Sequence, residues 1–211
     1  SSDNTLVENA FKFYDDIFRK MEIAGIDRIG GALYSYWPVD FKGGFDKAAD
    51  TERSIKNMRR LADIAANYGI TLCMESLNRF EGYMINEAYE DVDYVKAVDK
   101  PNVKSMLDTF HMNIEEDSLI DAIRLTKGTL GAFHVGEPNR RCPNKNSRID
   151  WYEIGKTLKE IGYDEYVVME PFVLMGGQVG KDISIWRDMS KGKTIEEIDL
   201  DAKNSVEFLR E

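Results

Sequence analysis

With two cysteines, two histidines and five prolines among 211 residues, the chain leaves several classes of protein out of reach. Cys73 falls inside an apolar run and Cys142 in a polar loop, and they form no CxxC pair, so neither a disulfide framework nor a thiolate cluster is expected. His111 and His134 are the only imidazoles, which argues against a multi-zinc nuclease site. Basic charge is also in deficit, with 28 Lys and Arg against 38 Asp and Glu and a net charge of -10. Nucleic-acid binding draws on Lys and Arg clusters, and no basic patch is visible. No apolar run approaches the roughly 20 residues of a membrane span, and the N-terminus lacks the basic and apolar regions of a signal peptide. A soluble cytoplasmic protein is expected.

Short apolar runs, each closed by one metal-competent side chain, are what the sequence does have. Ile70–Glu75, Val103–Asp108, Leu130–His134 and Tyr166–Glu170 share this pattern. A parallel strand buried on both faces reads as a continuous apolar run, and its carboxyl end is where α/β proteins place their chemistry. The intervals between Glu75, Asp108, His134 and Glu170 are about one strand plus one crossover helix, so the four converge at one mouth of a parallel barrel. Two Glu, one Asp and one His make a metal site.

Helical periodicity fills the intervals. Thr5–Glu8 fits a capping box, and Val7, Phe11, Tyr14, Phe18 and Met21 keep helical spacing up to Gly25. Ile26–Leu33 is expected as a strand in which Gly30 and Gly31 permit close approach of a ligand or another backbone, followed by the aromatic loop Tyr34–Pro38. Asp50 or Thr51 caps a second helix through Ile55, Met58, Leu61 and Ile64. Asn86 caps a third through Val92 and Val95, and Pro101 stops it. Asp117–Ser118 opens a helix through Ile120 and Ile123. Gly136–Asp150, with Arg140, Arg141, Lys145 and Arg148, is long enough to be a lid or binding loop. Helices are expected at Trp151–Ile161, Ser184–Ser190 and Asp199–Arg210, with Met175–Gly180 as a flexible loop.

The count is five strands preceded by a helix, where a closed (β/α)8 barrel has eight. The expectation is a TIM-type barrel of which the chain carries the last five βα units, residues 1–211 forming a single domain without three N-terminal units.

Longer motifs carry a family resemblance. Met74–Glu81, Met106–Asp117, Phe133–Arg140, Val168–Gly177 and Ile29–Trp37 together resemble the ketose 3-epimerases, the D-tagatose and D-psicose (D-allulose) 3-epimerase family. The resemblance runs over essentially the whole chain. It implies a TIM barrel with one divalent metal, usually manganese and alternatively cobalt or magnesium, held by Glu75, Asp108, His134 and Glu170. It further implies that Glu75 and Glu170 form the acid/base pair and that Glu81, His111 and Arg140 contact oxygens near the reacting carbon. Trp37 and Phe172 then pack on the far end of the sugar, and a homo-oligomer, dimer or tetramer, is usual.

These residue types suit the chemistry. Inverting a carbon beside a carbonyl takes proton removal, an enediolate, and return of a proton to the opposite face; a cation stabilises the charge and two carboxylates act as base and acid. A set rich in hard oxygens suits Mn²⁺ or Mg²⁺ better than a structural zinc. An aldose–ketose isomerase on the same barrel uses similar groups and stays open, as does a non-catalytic fragment that binds sugar or metal.

Overall fold

The computed structural model describes residues 2–211. Its elements in chain order are α1 (Asn4–Ala24), β1 (Arg28–Gly31), α2 (Lys47–Ala66), β2 (Thr71–Glu75), α3 (Ala88–Val98), β3 (Val103–Asp108), α4 (Thr109–Glu115), α5 (Leu119–Leu125), β4 (Leu130–Val135), α6 (Trp151–Ile161), β5 (Val167–Met169), α7 (Gly177–Asp182) and α8 (Ile195–Arg210). The five strands form one parallel sheet in sequence order, β1-β2-β3-β4-β5. Each strand is joined to the next through helical crossovers, as parallel pairing requires. This is the (β/α) arrangement the sequence implies.

Side-chain alternation sorts the sheet into two faces. Leu72 and Met74 of β2 pack with Phe18, Leu61, Ala65 and Val95 from the helices, and Leu107, Phe133 and Val135 pack with Ile123, Trp151, Ile154 and Leu158. The opposite, inner face carries Cys73, Met106 and Ala132, a small buried cluster. By the same parity, Glu75, Asp108 and His134 point inward, two residues beyond that cluster. The register sets Asp108 beside His134 and His134 beside Val168.

Two glycines shape the inner face. A Cβ on Gly30 would collide with the Met106 sulfur, so glycine there leaves the room in which the Met106 side chain lies across the inner face. A Cβ on Gly131 would meet the Lys104 side chain at the irregularity where the β3–β4 register steps past Gly131. At the amino end of the strands, Arg28 reaches across the inner face. Its Nη1 donates to the Gly131 carbonyl at 2.7 Å, its Nη2 pairs with Glu165 at 2.9 Å, and its Cζ sits 4.5 Å from the Tyr166 ring centre.

Several local expectations are corrected. Helix α1 is capped by Asp3, which accepts from Thr5 and Leu6 N–H, instead of through a Thr5 capping box. Helix α2 begins at Lys47 under Asp46, one turn ahead of Asp50. Glu87, not Asn86, is the N-cap of α3; the Asn86 amide instead donates to the Leu77 and Gly82 carbonyls. The first strand narrows to Arg28–Gly31 because Gly31 turns to φ 128°. Residues 184–190 are not helical: Ser184 has φ 62°, and the helical turn falls earlier, on Gly177–Asp182, where a flexible loop was expected. The last helix starts at Ile195 because Thr194 and Glu197 form a capping box. No helix among the described residues is long and apolar enough to cross a membrane.

Candidate metal centre

The four expected ligands meet. Glu75 closes β2, Asp108 closes β3, His134 lies in β4 and Glu170 directly follows β5, and one ligand atom from each lies within 4.8 Å of all the others. Asp108 does two jobs with its two oxygens. Oδ1 accepts from Phe110 N–H at 2.7 Å and caps α4, while Oδ2 faces the cluster, 3.9 Å from His134 Nδ1. Capping and clustering are thus compatible in this residue.

The donor set fits a divalent cation on three counts. First, His134 Nδ1 is buried and has no hydrogen-bond partner, yet stands 3.9 Å from both Asp108 Oδ2 and Glu170 Oε2. That spacing is too long for hydrogen bonds and right for ligands grouped about an ion. Second, burial, then the Asp108 and Glu170 carboxylates, push the Glu75 carboxyl well above its usual range, and burial also raises Asp108 against the pull of Arg140. Crowded carboxylates of this kind are what a bound cation relieves. Third, three carboxylates and one imidazole make an oxygen-rich donor set of the kind that holds a divalent cation. Burial works against the Glu170 anion as well, but His134 and Arg140 outweigh it and hold this carboxyl below its usual value.

Arg140 is the cationic counterweight. It is buried, with its backbone in the left-handed region at φ 59°. Nη1 lies 3.1 Å from Glu170 and 3.4 Å from Asp108, Nη2 lies 3.4 Å from Glu81, and the guanidinium stacks 3.7 Å from the Phe110 ring centre. Its carbonyl accepts from Phe172 N–H at 2.9 Å, tying the loop after β4 to the segment after β5. The loop itself hangs on Glu137, a buried carboxylate that accepts from Ser147 Oγ at 2.6 Å, Asn144 N–H at 3.1 Å and Trp151 Nε1 at 3.2 Å.

A cavity of about 310 Å³ opens over the cluster, lined by Glu75, Glu81, His111, Arg140 and Glu170 on its polar side and by Trp37, Leu77, Phe172, Val179 and Ile183 on its apolar side. Glu75, Glu81, His111, Arg140, Glu170, Trp37 and Phe172 thus line this cavity, and Asp108 and His134 belong to the ligand cluster beside it. The candidate lid contributes Arg140 alone; Arg141, Lys145 and Arg148 do not line the cavity. A larger cleft of about 650 Å³ lies between α1, α2 and the aromatic loop, with Tyr34, Phe45 and Tyr83 in its wall, and contains none of the four ligands. Sequence reasoning missed Phe110, Glu137 and Asn78. All three lie inside the quoted motifs, Phe110 between Asp108 and His111, Asn78 within Met74–Glu81 and Glu137 within Phe133–Arg140, but none was given a role.

Residues 1–190 match the xylose isomerase-like TIM barrel family, and the chain belongs to it. Within that family the chain stands with the ketose 3-epimerases, which are isomerases. It is 50% identical over 210 residues to the D-psicose 3-epimerase of Ruminiclostridium cellulolyticum, covering 100% of this chain and 71% of the relative. It is 50% identical over 211 residues to the D-psicose 3-epimerase of Agrobacterium fabrum, covering 100% and 73%. The crystal structure of the Clostridium cellulolyticum H10 D-psicose 3-epimerase with D-tagatose superposes with a TM-score of 0.97 at 50% identity, over 100% of this chain and 72% of that one. The five-stranded sheet thus corresponds to part of the barrel of these relatives.

Proposed function

We propose that the chain is the metal-holding part of a ketose 3-epimerase that inverts C3 of a free ketohexose of the D-psicose, D-fructose or D-tagatose type. The observation that carries this reading is the single cavity in which Glu81, His111 and Arg140 stand beside the four-ligand cluster, two of whose members, Glu75 and Glu170, also line it. Residues 1–211 act as one barrel domain, and an eight-stranded barrel takes three strands beyond these five.

Glu75, Asp108, His134 and Glu170 hold the cation, Mn²⁺ in first place with Co²⁺ or Mg²⁺ as substitutes. When bound, it supplies Lewis-acid stabilisation of negative charge developing on sugar oxygens. Glu75 and Glu170 reach the cavity from β2 and from the end of β5, with β3 and β4 between them, so one takes the C3 proton and the other returns a proton to the opposite face. Their roles exchange in the reverse direction. Arg140, paired with Asp108 and Glu170, and His111, 3.7 Å from Glu75, donate to oxygens near the reacting carbon as enediolate charge builds. Glu81 orients a neighbouring hydroxyl, and Trp37 and Phe172 wall the far end of the sugar and exclude water. A homo-oligomer working in the cytoplasm is the setting we propose.

Proton NMR with Mn²⁺ and D-fructose or D-tagatose in heavy water tests the assignment. Deuterium entering at C3 with appearance of the C3 epimer, stopped by EDTA, is the expected result. Label at C1 would make the protein an aldose–ketose isomerase. No exchange in a folded, metal-loaded sample would reduce it to a binding unit.

A further inference from the structure

We infer that Asn78 is a positioning residue that locks His111 in its Nε2–H tautomer, so that the ring offers a donor to a sugar oxygen. The inference concerns a residue to which no role has so far been given. Its donor half rests on the epimerase reading; its tautomer half does not.

Asn78 is 2% exposed and sits in the loop after β2, where its carbonyl accepts from Glu81 N–H at 2.9 Å and Gly82 N–H at 3.0 Å. Its own backbone N–H donates to His111 Nδ1 at 3.1 Å, and its side-chain Nδ2 lies 2.8 Å from the same atom. A backbone N–H can only donate, so Nδ1 must carry the lone pair, and the ring proton is left to Nε2. The amide orientation is fixed by an independent bond. Phe80 N–H donates to Asn78 Oδ1 at 3.0 Å, and Glu81 Oε1 accepts from Nδ2 at 3.0 Å. A flipped amide would set an oxygen against the Glu81 carboxylate and a donor against the Phe80 N–H.

On the other side of the ring, Nε2 lies 3.4 Å from Arg140 Nη2. With the proton on Nε2, both atoms are donors and neither can accept from the other. Their nearest carboxylates stand off, Glu81 at 3.4 Å from Nη2 and Glu75 at 3.7 Å from Nε2, and both donors border the same cavity, so a single acceptor entering it can bridge them. A sugar carbonyl or hydroxylate oxygen has that chemistry. The Nδ1–H tautomer would reverse the arrangement, placing a lone pair where negative charge develops.

Because the chain has only two histidines, nitrogen-15 histidine labelling and long-range proton–nitrogen correlation read each ring separately. The full chain with Mg²⁺ is used, and His134 is identified as the ring whose Nδ1 shifts when Mg²⁺ is added. The expected spectrum shows His111 with an unprotonated Nδ1 and a protonated Nε2. Asn78→Asp puts a carboxylate oxygen against Nδ1 and is expected to draw the proton there, with loss of the Nε2–H pattern. Asn78→Ala keeps the backbone donor and is expected to add a second, Nδ1–H set of signals. A wild-type His111 protonated at Nδ1 would overturn the inference while leaving the epimerase reading in place. Spectra of both variants identical to wild type would remove the Asn78 side chain from the role. Adding D-fructose is expected to shift Nε2 and spare the Nδ1 pattern; an unmoved Nε2 would remove the donor half and count against the epimerase reading instead.

Discussion

The two ends of the inner face spend their polar groups in opposite ways. At the carboxyl ends of the strands, three carboxylates crowd a histidine nitrogen that has no hydrogen bond, and the Arg140 and His111 side chains meet at 3.4 Å on the cavity wall. At the amino ends, the Arg28 guanidinium finds a carbonyl, a carboxylate and an aromatic face. The same five strands therefore carry one end that is short of a partner and one that is satisfied within the chain. Unsatisfied buried polar groups cost stability, and they persist where a ligand completes them. The comparison separates function from folding along a single strand length.

Substitutions at the two ends should break in opposite directions. The largest effect is expected at the mouth: Glu75→Gln or Glu170→Gln should lower kcat by about 10² to 10⁴-fold, the usual worth of a general acid or base. For Glu75→Gln the metal-free chain should become more stable, since one of the mutually repelling carboxylates is gone. Steady-state kinetics beside thermal melts in EDTA check both halves, and near-normal turnover in either variant would take that glutamate out of the acid/base pair.

Metal removal comes next. EDTA should abolish turnover and lower the melting temperature, and Mn²⁺ at about 100 times its dissociation constant should restore about 2.7 kcal/mol of stability. A melting temperature indifferent to Mn²⁺ would mean that the four side chains do not hold it.

The smallest effect belongs to the floor. Arg28→Met should cost about 1–3 kcal/mol, because the Gly131 carbonyl and Glu165 lose a charged donor, while turnover per folded molecule stays as it was. Urea titration with activity measured at low denaturant separates the two; an Arg28→Met protein of wild-type stability but impaired kcat would erase the distinction between the ends.

Much of this was legible in the sequence because parallel strands are short, apolar and regularly spaced. Ile70–Glu75 and Val103–Asp108 announce both their burial and the residues that end them, and Gly25 and Gly162 stop α1 and α6 where expected, each in the left-handed conformation. Elements fixed by competing polar side chains were harder. Asp3, Asp46 and Thr194 won the helix starts from Thr5, Asp50 and Asp199 because each stretch offers more than one capping side chain two to five residues apart, and composition alone does not choose among them. The short helix α4 was hidden because its cap, Asp108, reads as a strand end. The roles of Asn78 and Glu137, both inside quoted motifs, were hidden for a different reason. Their partners His111, Ser147 and Trp151 lie 10 to 33 positions away, and no local period encodes such contacts.

Apart from Leu77 after β2, the apolar wall of the cavity is built from segments that follow the two edge strands, Trp37 after β1 and Phe172, Val179 and Ile183 after β5, whereas three of the four cation-facing side chains stand on the central strands. Most of the shape and most of the charge are thus carried by different stretches of chain, meeting where Phe172 follows Glu170. A library confined to positions 37, 172, 179 and 183 can reshape the cavity for a different sugar without touching the strand ends that hold the charge. Changes at 75, 108 or 134 have no comparable freedom, since each would disturb the cluster and the backbone that positions it together.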